Sequence, residues 1–286
     1  MKNFKINMSD IGYGADVLGI GLGYVNIKKF KPELAKKINY IPHVPVAEET
    51  INAKVKNYNS IYQACLDLYN ENLKTVSQGY KYLSLGGDHS LALGSVKASL
   101  ETYGDDIGLI WIDAHADINR FSETESGNVH GTPVASLTGI NEEKYNNLGN
   151  SKRISFENIV YVGTRSVDYP EQITIFEKNI LELKDALLKS STFSKEMDKL
   201  VKHLKNKVSK VHISLDIDAI DPSILKGVST PVEGGLSIQE VKQLFETVNS
   251  NFEIAAVDIY EFNPQNDIDG KTIDFVEDFV DFLEKL

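Results

Sequence analysis

Three ionisable residues at alternate positions, Asp113, His115 and Asp117, directly follow the apolar run 109–112. Such a run is typical of a strand that is buried on both faces of a sheet. Residues two apart in an extended chain point to the same side, so the three side chains can converge where the strand ends. Because ionisable groups at the end of an apolar strand are costly unless something binds them, a metal ion is the natural partner. Carboxylate and imidazole ligands together suit a divalent ion such as Mn²⁺.

Two other apolar strands end in residues of the same kind. His89 follows the run 82–85 after a Gly-Gly turn, and Asp216 and Asp218 alternate at the end of the strand 210–215. Sites in open parallel sheets are built at the carboxyl ends of the strands. The three strand ends therefore predict one shared metal site.

The predicted site contains four negative charges, on Asp113, Asp117, Asp216 and Asp218. Packed together without cations, these carboxylates would repel and raise one another's pKa. Two divalent ions would neutralise them and, about 3.5–4 Å apart, would share a bridging water whose pKa falls towards neutrality. Asp88 and Asp221 are predicted to form turns or to orient ligands rather than to bind metal.

Four motifs in order, GGDHS, DAHAD, SGNVHG and SLDIDAIDP, resemble the ureohydrolase family of arginases, agmatinases and related amidinohydrolases. The resemblance extends from about Tyr82 to the C-terminus. It implies a three-layer αβα fold with a mainly parallel central sheet, and two Mn²⁺ ions per subunit. The implied ligands of the first ion are His89, Asp113, Asp117 and Asp216. The implied ligands of the second ion are His115, Asp113, Asp216 and Asp218.

The same resemblance implies hydrolysis of a guanidinium group. A hydroxide that bridges the metals would attack the central carbon, and the intermediate would collapse to urea and an amine. His130 would be the proton shuttle for the leaving nitrogen, as its titration range suits. Glu261 would hold the guanidinium by a paired carboxylate contact. Asp117 completes the implied catalytic group.

The loop between Asp117 and His130 bears on the choice of substrate. It has neutral donors suited to a carboxylate, namely Asn119, Thr124, Ser126 and Asn128. Their spacing resembles the arginase subfamily, in which this loop contacts the α-carboxylate, and the resemblance assigns the α-ammonium to Asp168 and Glu171. These features favour hydrolysis of L-arginine to L-ornithine and urea.

Other functions stay open. The stretches 116–117 and 131–133 are similar to agmatinases, so agmatine or another guanidino acid is an alternative substrate. A metal-dependent deacetylase-like hydrolase is less favoured, because the chain has no adjacent His-His pair. A metal-bound protein without catalytic activity has no feature in its favour, since all the ligands and His130 are present.

Alternating strands and helices position these residues. A helix over 55–79, a strand over 82–85, a helix over 90–103 and a strand over 108–112 predict a βαβ unit with parallel strands. Ser237 and Glu240 predict a capping box at the start of a later helix. Glycines alternate over 19–23, but they lack dinucleotide-loop spacing and we expect no helix directly after them. We expect one domain over 1–286.

Length, charge and cysteine content indicate what kind of protein this is and which partners and compartment suit it. The chain has 286 residues, a net charge of −11 and 42% hydrophobic residues, as suits a soluble globular protein. The acidic balance argues against nucleic acid and anionic membranes as partners. No apolar stretch is long enough for a membrane span and no secretory signal is visible. The one cysteine, Cys65, suits a reducing cytoplasm. The family resemblance implies a homo-oligomer, either a trimer or a hexamer.

Overall fold

Eight strands form one sheet in the computed structural model, which describes residues 3–17, 19–46, 54–184 and 192–286. From edge to edge the strands are β2 (Ile38–Tyr40), β1 (Phe4–Met8), β3 (Lys81–Leu85), β8 (Glu253–Tyr260), β7 (Lys210–Asp216), β4 (Ile107–Ile112), β5 (Ile159–Val162) and β6 (Leu181–Leu183). Every pairing between them is parallel. The prediction of a mainly parallel central sheet is therefore confirmed.

Helices connect the strands and lie against the sheet. They are α1 (Gly23–Phe30), α2 (Pro32–Lys37), α3 (Tyr58–Ser77), α4 (Ala92–Tyr103), α5 (Pro133–Thr138), α6 (Glu143–Asn146), α7 (Tyr169–Glu177), α8 (Phe193–Leu204), α9 (Ile238–Asn251) and α10 (Lys271–Lys285). Within the described ranges, no helix has the length and apolar content that crossing a lipid bilayer would require.

Two apolar cores lie on opposite faces of the sheet. On β4, Ile110 and Ile112 belong to one core, whereas Leu109 and Trp111 belong to the other. This alternation follows from the period of two along a strand. Helices α1, α2, α8, α9 and α10 contribute to the first core, and α3 to α7 contribute to the second. The molecule thus has the three αβα layers that the sequence predicts.

The predicted elements lie close to the observed ones, with differences at their ends. The helix predicted over 55–79 is α3, and Val55 precedes it as a buried loop residue. The helix α7 begins at Tyr169, because Asp168 and Glu171 form a capping box there. The capping box predicted at Ser237 and Glu240 is confirmed.

The expectation that no helix directly follows the N-terminal glycines is wrong. A 3₁₀ turn (Ile20–Leu22) leads directly into α1. Only Gly23 and Ile27 of this short helix are buried, and Val25 is exposed, so the sequence shows little helical periodicity. The N-terminal segment also contributes β1, which pairs with β3 inside the sheet.

The strand order decides where the functional residues meet. Strands β3, β8, β7 and β4 are consecutive neighbours and run in the same direction. Their carboxyl ends therefore lie side by side at one edge of the sheet. His89, Glu261, Asp216 and Asp113 all lie at or just beyond these four ends.

Candidate metal centre and substrate cavity

A tight glycine turn after β3 directs His89 towards the strand ends. Gly86 and Gly87 both have left-handed backbones, with φ of 79° and 83°. A Cβ atom at Gly87 would lie 2.3 Å from Leu91 Cδ1 and 2.7 Å from Ser9 O, so a larger residue does not fit. Asp88 then accepts the backbone N–H of Ser90 (3.1 Å). This contact supports its prediction as a turn-forming residue.

His89 faces three of the four predicted carboxylate ligands. Its Nδ1 lies 2.9 Å from Asp113 Oδ2, 3.2 Å from Asp216 Oδ2 and 3.3 Å from Asp117 Oδ2. The His89 ring is completely buried and stacks on Trp111 at a centroid distance of 4.0 Å. The structure therefore brings together all four residues predicted for the first metal.

His115 forms a second group around the same aspartate. Its Nδ1 lies 3.2 Å from Asp218 Oδ2 and 3.4 Å from Asp113 Oδ1. Asp113 thus offers one oxygen to each group, as a ligand shared by two metals would. Asp216 turns Oδ2 towards His89, while its Oδ1 accepts the backbone N–H of Asp218 (2.7 Å).

The electrostatics of the cluster fit a cation. Burial raises the pKa of Asp216 well above its usual range, and the charges of Asp218 and Asp113 raise it further. Burial and the Asp113 charge raise the pKa of Asp117 to about 6. Burial lowers the pKa of His89, but hydrogen bonds to the carboxylates outweigh this effect and raise it. In the metal-free protein, the raised pKa values mean that bound protons offset part of the negative charge of the carboxylates. Divalent ions would neutralise the same charge, and the oxygen and nitrogen donors suit such ions.

Two residues of the site have a backbone conformation that is unusual outside glycine. Asp117 has φ of 52° and Glu261 has φ of 68°. The left-handed region costs a non-glycine residue about 1–2 kcal/mol. Strain of this kind persists at functional sites, where the surrounding structure enforces it.

Glu261 connects the candidate metal ligands to His130. Its Oε1 accepts the backbone N–H of His89 (2.9 Å) and lies 3.2 Å from His130 Nδ1. Glu261 Oε2 is buried and has no hydrogen-bond partner in the described structure. Burial lowers the pKa of His130, but the hydrogen bond and charge of Glu261, with the charge of Asp117, raise it to about 9. The structure thus pairs two of the three predicted catalytic residues, His130 and Glu261, and leaves one Glu261 oxygen without a hydrogen bond from the described residues.

A cavity of about 300 Å³ opens over this cluster. Its wall includes His115, Asp117, Asn119, Thr124, Glu125, Ser126, His130, Gly131, Ser166, Asp168, Glu171, Asp216 and Thr230. Five of the six residues predicted to bind substrate therefore share one cavity with candidate metal ligands. Asn128 is the exception, because it lies outside the wall and its side-chain amide donates to Ala15 O (3.0 Å).

The acidic side of the cavity is built on the first turn of α7. Asn119 Nδ2 donates to Asp168 Oδ2 (2.9 Å), and Glu171 accepts the backbone N–H groups of Ile118 and Asp168 (both 2.9 Å). Burial raises the pKa of Glu171 to about 8. Asp168 is the more exposed of the two carboxylates.

Three residues that contact the ligands were not predicted. Thr230 Oγ1 donates to Asp218 Oδ2 (2.9 Å), and Trp111 Nε1 donates to Asp113 Oδ2 (3.0 Å). Ser214 Oγ lies 3.0 Å from His89 Nε2. Ser214 had a detectable signal, because it alternates with Asp216 along β7 and so shares its face. Thr230 lies in an irregular loop without a comparable pattern.

Comparison with known proteins decides the family. The family model described as "Arginase family" matches residues 25–282, which is most of the chain. The chain belongs to the arginase family.

Individual relatives agree with this assignment, and the chain is a hydrolase of the family. The arginase of Bacillus subtilis is 31% identical over 262 residues, covering 91% of this chain and 88% of the relative. The arginase of Staphylococcus aureus is 36% identical over 219 residues, covering 76% and 72%. A solved structure of Bacillus subtilis arginase superposes with a TM-score of 0.88 at 29% identity, covering 99% of this chain and 98% of that chain.

The fold likeness extends to more distant members. The structure of Entamoeba histolytica arginase in complex with L-ornithine has a TM-score of 0.88 at 24% identity. It covers 100% of this chain and 99% of that chain. This similarity supports the fold alone.

Proposed function

We propose that this arginase-family hydrolase converts L-arginine to L-ornithine and urea. The proposal rests on the set of residues that line one cavity at the carboxyl ends of the strands. His115, Asp117 and Asp216 of the candidate metal cluster line this cavity, together with neutral donors and the Asp168 carboxylate. A guanidinium beside the cluster and an α-amino acid group beside the donors and Asp168 would match this arrangement.

Two Mn²⁺ ions per chain are the cofactors we propose. His89, Asp113, Asp117 and Asp216 would hold one ion, and His115, Asp113, Asp216 and Asp218 would hold the other. Bound divalent ions supply a water acidic enough to provide hydroxide at neutral pH. Candidate ligand groups in the described structure, His89 with Asp113 and Asp117, and His115 with Asp113 and Asp218, support this assignment.

Glu261 and His130 would handle the substrate's charge and the leaving group's proton. Glu261 Oε2, buried without a partner, is an acceptor for a guanidinium N–H. Because His130 Nδ1 is within hydrogen-bond distance of Glu261, its Nε2 proton remains for the leaving amine. In the metal-free protein, burial lowers the pKa of His130, but Glu261 and the charges of Asp117 and Asp88 raise it to about 9, so the imidazole carries this proton at neutral pH there.

Selection of arginine over agmatine would depend on the wall. The two compounds differ by the α-carboxylate, which a site must satisfy with donors. Asn119, Thr124 and Ser126 supply neutral donors there. Asp168 and Glu171 would take the α-ammonium.

Urea release by the Mn²⁺-loaded protein tests the proposal, with L-arginine and agmatine as separate substrates. Urea from L-arginine alone would support it. Urea from agmatine alone would keep the hydrolytic chemistry and overturn the assignment of the wall. Urea from neither substrate, with metal bound, would overturn the proposal.

The carboxylate contacts have their own test. Replacing Asn119 and Ser126 together by alanine should raise the KM for L-arginine at least about tenfold, because hydrogen bonds to a charged group are lost. The kcat at saturation should fall far less. An unchanged KM would contradict the assignment of Asn119 and Ser126 to the α-carboxylate.

We also propose a cytoplasmic homo-oligomer, a trimer or a hexamer. The oligomer follows from the ureohydrolase resemblance, and the use of only one cysteine, the buried Cys65, supports the reducing compartment. Light scattering after gel filtration measures the subunit number, and cell fractionation locates the protein. A monomer, or recovery outside the cytoplasm, would contradict the corresponding part.

A further inference from the structure

A buried lysine lies on the helix that follows the His89 turn. Lys97 of α4 is completely buried, and its Nζ donates to the backbone carbonyls of Asn146 (2.6 Å), Asn150 (3.1 Å) and Lys152 (2.6 Å). No ion pair in the described ranges includes it. An ammonium has three donors, and here all three are used on one loop. Burying such a group is costly unless it is hydrogen-bonded, so these contacts hold the loop 146–152 against α4.

The contacts continue from this loop towards the substrate cavity. Asn146 is 6% exposed, and its Oδ1 accepts the backbone N–H of Asn141 (3.2 Å) while its Nδ2 donates to Asn141 O (2.7 Å). Asn141 Oδ1 in turn accepts the backbone N–H of Phe121 (3.0 Å). One polar chain therefore joins Lys97 to Phe121.

Phe121 is the point where this chain reaches the loop that lines the cavity. It lies between Asn119 and Thr124, which both line the cavity. Its ring is 1% exposed and packs edge-on against Tyr145 at 4.8 Å. The loop has no helix or strand of its own at this point, so its shape depends on such contacts.

We propose that Lys97, Asn146 and Asn141 are positioning residues that set substrate selection by fixing the cavity loop at Phe121. The inference rests on the proposed function, because it supposes that the loop contacts the α-carboxylate of L-arginine. The three residues touch neither the substrate nor the metal ligands. Their effect is on the placement of the Asn119, Thr124 and Ser126 donors.

Asn141→Ala tests the proposal, because it removes the acceptor of the Phe121 amide. We expect the KM for L-arginine and the inhibition constant of L-ornithine to rise together about fivefold to tenfold, as for one hydrogen bond lost from the cavity loop. The change also removes the contacts of Asn141 with the Glu142 amide (3.0 Å) and with Ser136 Oγ (3.1 Å), which lie outside this loop. The kcat should stay within about twofold. Amide hydrogen exchange should show faster exchange at Phe121. Asn141→Asp keeps a side-chain acceptor and should restore both the KM and the slow exchange.

A matched control lies on the same segment. Asn147 is exposed and its side chain accepts from Arg153, so Asn147→Ala should change none of these quantities. Lys97→Met should act like Asn141→Ala; if it does not fold, the Asn141 pair still decides. If the wild-type protein releases urea from L-arginine and Asn141→Ala has an unchanged KM, this inference is overturned and the proposed function stands. Absence of that release in the wild type would instead overturn the proposed function.

Discussion

Buried charge and backbone strain coincide at Asp117. Its carboxylate is one of four in the cluster, and its φ of 52° lies in the left-handed region. Neither feature is favourable for a folded protein without bound metal. Residues with both properties are typical of sites where function opposes stability.

Replacing Asp117 by asparagine should therefore stabilise the metal-free protein. The change removes one negative charge from the cluster and keeps the shape of the side chain. We expect the Tm to rise by about 2–4 °C, the shift that about 1 kcal/mol produces in a chain of this size. The rise in Tm on adding Mn²⁺ should shrink, since a ligand is lost. Differential scanning fluorimetry measures both quantities.

The control for this experiment is an aspartate of α8. Asp198 is exposed, so Asp198→Asn should change neither the Tm of the metal-free protein nor its rise on adding Mn²⁺. A lower Tm for metal-free Asp117→Asn would contradict the argument from charge repulsion.

The pairing of His130 with Glu261 should be visible in its titration. Burial opposes the charged imidazole, yet Glu261 raises the pKa of His130 to about 9 in the metal-free chain. In Glu261→Gln that pKa should fall, because the carboxylate that favours the imidazolium is gone. NMR titration of the ring resonances measures it. An equal pKa in both proteins would exclude the pair.

The pairing of His130 with Glu261 should stabilise the folded protein less as the pH rises. A histidine whose folded pKa is raised contributes its stability fully below the unfolded value, about 6.5, and loses it as the pH rises through the folded value. The stability advantage of wild type over Glu261→Gln should thus decrease between about pH 6.5 and pH 9. Urea denaturation of the metal-free proteins across this range checks the trend.

At the scale of elements, caps and turns set where the helices begin. The helix α9 starts at a reciprocal pair, in which Ser237 Oγ accepts the Glu240 amide (3.2 Å) and Glu240 Oε2 accepts the Ser237 amide (2.8 Å). None of its residues lines the substrate cavity. This helix therefore allows stability to be changed separately from activity.

Ser237→Ala should lower the free energy of unfolding by about 1 kcal/mol, the usual loss at an N-cap. The kcat and KM should not change. Chemical denaturation gives the first quantity and urea release gives the others. Ser250→Ala, near the other end of α9, is the control and should leave the free energy nearly unchanged. Equal losses in both variants would show that the cap contributes nothing specific.

At the scale of the whole molecule, the candidate metal centre would link strand ends that are neighbours in the sheet but far apart in the sequence. Its candidate ligands come from the turn after β3 and from the ends of β4 and β7. In the unfolded chain these residues are far apart, so metal binding favours the folded state. Binding also requires neutral imidazoles and ionised carboxylates.

Adding Mn²⁺ to 100 times its dissociation constant should stabilise the folded protein by about 2.7 kcal/mol for each ion bound, and chelation should reverse this. Because the pKa values of His89 and Asp216 are raised, binding at neutral pH should release protons, and affinity should increase with pH. Calorimetry in two buffers of different ionisation enthalpy counts the protons. Binding without proton release would contradict the charge state described for the cluster.

The sequence by itself determined the parts of the site that are local. Asp113, His115 and Asp117 lie within five residues after β4, and Asp218 lies two residues after Asp216, so chain connectivity keeps each set close whatever the fold. The strand period does not itself place them, because β4 ends at Ile112, Asp117 has a left-handed backbone and Asp218 lies in a 3₁₀ turn. Hydrophobic runs predicted the central strands β3, β4 and β7. Buried polar residues such as Lys97 left no such signal, because their partners are carbonyls of a separate loop.

Which of these strand ends meet depends on contacts between elements that are far apart in the sequence. The contact between Glu261 and the His89 amide joins residues 172 positions apart, and it exists because β8 lies beside β3. Asn128, in the predicted substrate loop, faces Ala15 of the N-terminal segment instead of the cavity. Periodicity along a chain reports which face a residue takes, but contacts between elements depend on strand order and loop path, which the packing of the whole chain selects.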